Sequence, residues 1–157
     1  MAPFGPTLLR FAVGLVFVAH GVRKLFGFGG GGGLNGTAAF FAQAGLSPAF
    51  VLAMAIGLAE SVGGLLLIAG LFTRVAAGIL TVEMLVAVWK VHLANGFFLN
   101  WTNVPGAGHG YEYNLVIVAA LIAVILTGPG ALSIDRSKTR EADADAAGRA
   151  RLRPGAV

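Results

Sequence analysis

Apolar residues fall along this chain in four long stretches, and most polar residues lie in the gaps between them. The stretches cover residues 7–26, 49–72, 75–92 and 113–127. A helix needs about 20 predominantly apolar residues to span a bilayer. The last two stretches are short and interrupted, yet they still read as spans, because a helix closes its own backbone hydrogen bonds where no water is present. A further short helix is expected over residues 37–44, ended by Gly45 and Pro48. The pattern therefore predicts an all-α fold: a transmembrane four-helix bundle with two extracytoplasmic loops, residues 27–48 and 94–110, and a short charged cytoplasmic tail. Residues 1–135 form the membrane domain. Residues 136–157 alternate charges, with little apolar content beyond alanine, and read as a flexible tail. The N-terminal run lacks a basic leader and a clean cleavage site, so the first helix is expected to be retained.

Composition strengthens the membrane reading. Hydrophobic residues make up 57% of the chain, charged residues 11%, and mean hydropathy is +0.82. Four spans place both termini and the loop holding Arg74 on one side. That side carries eight of the 11 basic residues: Arg10, Arg74, Arg136, Lys138, Arg140, Arg149, Arg151 and Arg153. Arg23, Lys24 and Lys90 lie toward the other side. The positive-inside rule then puts both termini in the cytoplasm of a multi-pass inner (plasma) membrane protein. The sequence pI of about 10.1 reads as topology rather than nucleic-acid binding. The absence of cysteine excludes a protein thiol relay, cysteine-held iron–sulfur clusters and thioether-linked haem.

The charges inside the apolar runs are the candidates for function. A charge at mid-bilayer costs roughly 3 kcal/mol or more, so it faces a partner, a cavity or water. Arg10, Gly14, Phe17, Gly21 and Lys24 share one face of the first helix, with His20 beside that stripe. Glu60 lies about 17 Å from the outer end of its helix, counted along the axis. Glu83 is near the middle of the third helix. His92, His109 and Glu112 gather at the outer end. One reading is structural, with ion pairs among Arg10, Glu60, Glu83 and Lys90. The other is an outward-facing polar pocket lined by His20, Lys24, Glu60, Glu83, His92 and Glu112. In it Glu60 and Glu83 act as proton acceptors or counter-ions, and the two histidines hold a carbonyl head group. Neither reading names a catalytic residue. Metal ligation by His20, His92, His109 and Glu112 lacks tight ligand spacing, and a haem held by His20 and His92 rests on ligand count alone.

Smaller motifs complete the picture. Gly57, Ser61 and Gly64 form a small-residue face suited to close helix packing. The glycine run from Gly27 to Gly33 reads as a flexible loop, with no Gly-Lys-Ser/Thr to make it a phosphate cradle. Phe97, Phe98 and Trp101 in the second outer loop read as an aromatic belt or as a lid over the pocket.

Several of these segments, taken in order, resemble the DoxX family of small membrane proteins. They are Leu9-Arg10-Phe11-Ala12-Val13-Gly14 with His20-Gly21 and Lys24-Leu25-Phe26-Gly27, then Gly57-Leu58-Ala59-Glu60 with Gly63-Gly64. Gly70-Leu71-Phe72-Thr73-Arg74, Gly96-Phe97-Phe98, Gly110-Tyr111-Glu112-Tyr113 and Gly128-Pro129-Gly130 with Ser133-Ile134-Asp135 follow. The resemblance covers about residues 8–135. It implies a four-helix membrane bundle and an oxidoreductase label, because relatives are described as subunits of quinone-linked sulfur-oxidising or oxidative-stress complexes. The chain departs from that picture in having no cysteine and an extended glycine run. The leading expectation is a redox-associated subunit that binds a quinone or similar amphipathic ligand, with the lipid bilayer, redox-complex proteins and a second copy of itself as partners. Two alternatives stand beside it: a non-enzymatic membrane assembly partner, and a small ion-coupled transporter.

Overall fold

The computed structural model describes residues 4–141, and every regular element among them is helical. The order is α1 (Phe4–Phe26), α2 (Gly33–Gln43), α3 (Ala49–Ala69), α4 (Thr73–Ala87) and α5 (Glu112–Thr127). A one-turn π segment (Val88–His92) and a 3-10 turn (Leu93–Asn95) extend α4, so the run Thr73–Asn95 is long and apolar enough to cross a membrane, as α1 and α3 are. α5 has 16 residues and is shorter than these three runs. Residues 134–141 are helical, and the rest of the expected charged tail lies outside the described residues.

α1 and α3 make the central pair, and α4 and α5 close the bundle beside them. Val13, Phe17, Leu67, Ala76, Ala77, Leu80, Ile117, Leu121 and Val124 form the core. The outside is equally apolar, with Leu15, Leu58, Leu65, Ile79, Val82 and Val116 all exposed. In water such a surface would drive aggregation. Against lipid tails it is matched to its solvent, so the molecule is a membrane protein.

The close approach of α1 and α3 comes from glycine. A Cβ added at Gly14 would lie 2.7 Å from the Gly64 carbonyl, and one at Gly21 would lie 2.7 Å from the Gly57 carbonyl. These contacts also fix the register. Glu60 lies level with Gly21, about 8 Å inside the end of α1 at 1.5 Å per residue. α3 therefore runs past α1, and α2 packs over α3 and the end of α1. The depth expected from α3 alone, about 17 Å, placed Glu60 deeper than it lies relative to α1. In the glycine run Gly27, Gly29, Gly30 and Gly33 all take positive φ where the chain turns from α1 into α2.

Candidate functional site

The end of the bundle that carries α2 and the 96–111 loop holds the polar groups, in two separate clusters. The first is buried. Lys24 reaches from α1 toward α3, and its Nζ lies 2.6 Å from Glu60 Oε1 and 3.9 Å from Glu83 Oε1 on α4. The side chains of Glu60 and Glu83 are 2% and 11% exposed, and that of Lys24 is 26% exposed. The second oxygen of each carboxyl, Glu60 Oε2 and Glu83 Oε2, is buried without a hydrogen-bond partner. Breaking such a buried pair costs about 3–5 kcal/mol. Three helices are thus joined through one ammonium group. His20, one turn before Lys24, is exposed on α1 within electrostatic range of Glu60.

The second cluster lines a cleft of about 410 Å³ between α2 and the π-helical extension of α4. Phe40, Ala44 and Val91 supply apolar wall, and Lys90, His92, Asn95 and His109 supply polar groups. Backbone contacts fix both imidazoles. His92 Nδ1 donates to the His109 carbonyl at 2.9 Å, leaving its Nε2 as an acceptor in the neutral ring. The Asn100 N–H donates to His109 Nδ1 at 3.2 Å, so the proton of a neutral His109 sits on Nε2. One histidine therefore offers an acceptor and the other a donor.

The structure divides the six residues expected in one pocket. Lys24, Glu60 and Glu83 are joined, and His92 belongs to the cleft. Glu112 instead accepts from Trp101 Nε1 at 3.1 Å, holding the aromatic loop onto the start of α5. His109 and Gln43 belong to the cleft but not to the expected set. Gln43 lies on α2, whose register against the α4 extension is set by tertiary packing.

The two cations expected to pair with buried acids are engaged differently. Arg10 is 2% exposed at the opposite end of the bundle and donates to the carbonyls of Leu67, Ile68, Pro129 and Leu132. These carbonyls come from the end of α3 and from the segment after α5, and a guanidinium fork reaches several at once. Lys90 stacks its Nζ 4.0 Å over the Trp89 ring. Among the described residues the ion pairs are those of Lys24, and no group of three or more His, Cys, Asp or Glu is placed to hold a metal.

Beside Arg10 lies a residue whose role periodicity did not signal. Asp135 accepts from the Phe72 and Thr73 N–H groups at 2.9 Å each and caps the start of α4. Burial acts to raise the Asp135 pKa, but these backbone bonds and the Lys138 charge outweigh it and hold the carboxyl below its ordinary value. The positions of the 70–74 and 128–135 segments in the sequence are thereby explained: each contributes to a knot around Arg10 and Asp135. The 96–98 and 110–112 segments likewise meet through backbone bonds, from Gly110 to Phe98, Tyr111 to Gly96 and Glu112 to Phe97.

Comparison with known proteins agrees with this architecture. An uncharacterized membrane protein of Mycobacterium tuberculosis is 33% identical over 142 residues, covering 87% of this chain and 82% of its own. The Bacillus subtilis protein named "Putative oxidoreductase CatD" is 30% identical, covering 83% of this chain and 84% of its own. The inner membrane protein YphA of Escherichia coli is 28% identical over 83% of this chain and 90% of its own. No solved structure matches the chain. The DoxX family model matches residues 5–93, which hold α1 to α4 with Arg10, Lys24, Glu60 and Glu83, and the chain belongs to the DoxX family.

Proposed function

We propose that this protein is a redox-associated subunit of the bacterial inner membrane that binds a quinone or similar amphipathic ligand at the cleft between α2 and the α4 extension. The observation that carries this reading is the paired histidine geometry: a donor at His109 Nε2 and an acceptor at His92 Nε2 beside an apolar wall of Phe40 and Val91. Ligand sites commonly combine apolar lining with a few polar groups that fix orientation. The residues fit a quinone. The His109 N–H suits a carbonyl oxygen, the His92 nitrogen suits a hydroxyl, and the apolar helix surfaces beside the cleft suit a tail. A quinone would supply electron and proton carriage, which the chain's own side chains do not. The chain orients the head group through the two rings, and Lys90 adds positive charge at the rim. The name of the Bacillus relative supports the redox class.

Titration of purified protein with short-chain quinones should raise its melting temperature by mass action and quench Trp89 or Trp101. His109→Ala should weaken both effects with folding retained. Neither a thermal shift nor quenching across a quinone series would refute the site and favour an assembly role.

The same reading places both termini and Arg74 in the cytoplasm, supported by the eight-to-three division of basic residues. Single cysteines at Ser47 and Ser137 test it in this cysteine-free chain. In intact cells Ser47→Cys should react with an impermeant thiol reagent and Ser137→Cys should not; the reverse pattern would overturn the orientation.

A further inference from the structure

The charges of the buried Lys24 cluster do not balance. Glu60 from α3 and Glu83 from α4 face Lys24 from α1, and among the described residues no second cation comes within ion-pair distance of the two acids. The neighbouring elements do not correct the sum. α2 carries no titratable side chain. On α1, His20 and Arg23 are exposed, and Arg10 is engaged by carbonyls at the far end of the bundle. From α5 the buried polar group near α4 is Asn114, which is uncharged and donates to Met84. Glu112 bonds Trp101, and Tyr113 is exposed. An unbalanced charge away from water is far more costly than a neutral acid.

Three features of the geometry meet this imbalance with one proton. The two carboxyl groups converge on one ammonium, Lys24 Nζ, at 2.6 and 3.9 Å. Each has one buried oxygen, Oε2, lacking any partner, and an O–H on one carboxyl can donate to the other. Lys24 is far closer to Glu60 than to Glu83, 2.6 Å against 3.9 Å. The negative charge therefore belongs on Glu60, and the neutral acid on Glu83.

We propose that Glu83 and Glu60 hold one exchangeable proton between them, making the Lys24–Glu60–Glu83 cluster a proton-binding site inside the membrane bundle. The proton resides on Glu83 and is shared with Glu60. Lys24, the most exposed member of the three, forms the gate through which water reaches it. Release breaks the Glu83 O–H bond, transfers the proton to water and leaves a carboxylate on Glu83; uptake is the reverse. Intramembrane acids commonly mark proton routes. The site stands on its own geometry and needs no ligand in the histidine cleft.

The test is infrared spectroscopy of the full chain in lipid nanodiscs, with carbon-13 in the glutamate carboxyls. At neutral pH the parent should show the carbonyl stretch of one protonated glutamic acid, isotope-shifted by the label and moved again by deuterium exchange. Glu83→Gln should abolish this band. Glu60→Gln should also abolish it, since Glu83 then ionises to balance Lys24, and Lys24→Met should double it, because both acids then become neutral. Glu112→Gln should leave it unchanged. The doubling separates a shared proton from a merely structural contact. If a variant fails to fold, the parent band alone decides. A parent spectrum with every glutamate ionised at neutral pH would overturn the proposal, and stabilisation by added sodium or potassium would then assign the site to a metal cation.

Discussion

The glycine contact between α1 and α3 gives the sharpest test of the fold. In Gly21→Ala the new methyl carbon would begin 2.6 Å from the Ser61 nitrogen and 2.7 Å from the Gly57 carbonyl oxygen. Comfortable separation is nearer 3.5 Å, so the helices must part by close to an ångström. Both contacts are backbone, and no rotamer change relieves them. A gap of that size forfeits about a quarter to a half of the dispersion energy along the seam, including the tight approach of Gly14 to Gly64. Overpacking of this kind costs about 1–3 kcal/mol. The usual gain of alanine over glycine in a helix is about 0.5–1 kcal/mol, and it shrinks in lipid because separated helices stay helical there. The expected net loss is therefore about 2 kcal/mol. Gly78 in α4 is the control, since a Cβ there meets nothing within 4 Å; Gly78→Ala should change stability by less than about 1 kcal/mol, in the favourable direction. Denaturant titration in mixed micelles, followed by Trp89 and Trp101 emission, measures both. A Gly21→Ala protein as stable as the parent, or a Gly78→Ala protein equally damaged, would refute the packing argument.

Two further predictions concern the knot at the opposite end. Arg10→Lys keeps the charge but cannot span carbonyls on both sides of the bundle, from Leu67 to Leu132; at about 1.5–3 kcal/mol per lost charged hydrogen bond, it should lower the melting temperature clearly, and an unchanged melt would contradict the carbonyl nest. Asp135 has a folded pKa below its ordinary 3.8, so its contribution is present above that pH and is lost as pH falls through the depressed folded value. Parent and Asp135→Ala should therefore differ by about 1 kcal/mol, the usual worth of a helix cap, above the ordinary value and converge in stronger acid. A difference that persists there would show that Asp135 acts by shape rather than charge.

The helices were legible because the first two apolar runs are long, the shorter two can close their own backbone hydrogen bonds only as helices, and turn residues punctuate all four. The Gly57, Ser61 and Gly64 face was legible for the same local reason: small residues at helical spacing have one obvious use in lipid, and Gly21 packs against that face. The π turn at 88–92 left no such mark, and its effect, carrying α4 on to Asn95, appears only in the backbone. The glycine run left its conformation open. Glycine permits both disorder and positive φ, and composition does not distinguish a floppy loop from the tight turn that these residues make.

The site was legible in its residue types but less so in its pairings, and the reason is register. Sequence places Lys24 near the end of α1 and Glu60 near the middle of α3, about 17 Å from that helix's outer end. Nothing in either helix reveals that α3 overshoots α1 and brings the two side chains level. That offset follows from where Gly14 and Gly21 meet Gly64 and Gly57, a long-range fit that one strand of text does not contain. The same offset frees Arg10 from the acids, because it sits at the other end of the α1 face. Arg10 there meets carbonyls at the end of α3 and in the segment after α5, and the Glu60–Glu83 cluster is left with one lysine for two carboxylates. The charge imbalance that makes the cluster a proton site is therefore a consequence of helix packing: the small residues that set the α1–α3 register also decide which cation reaches Glu60.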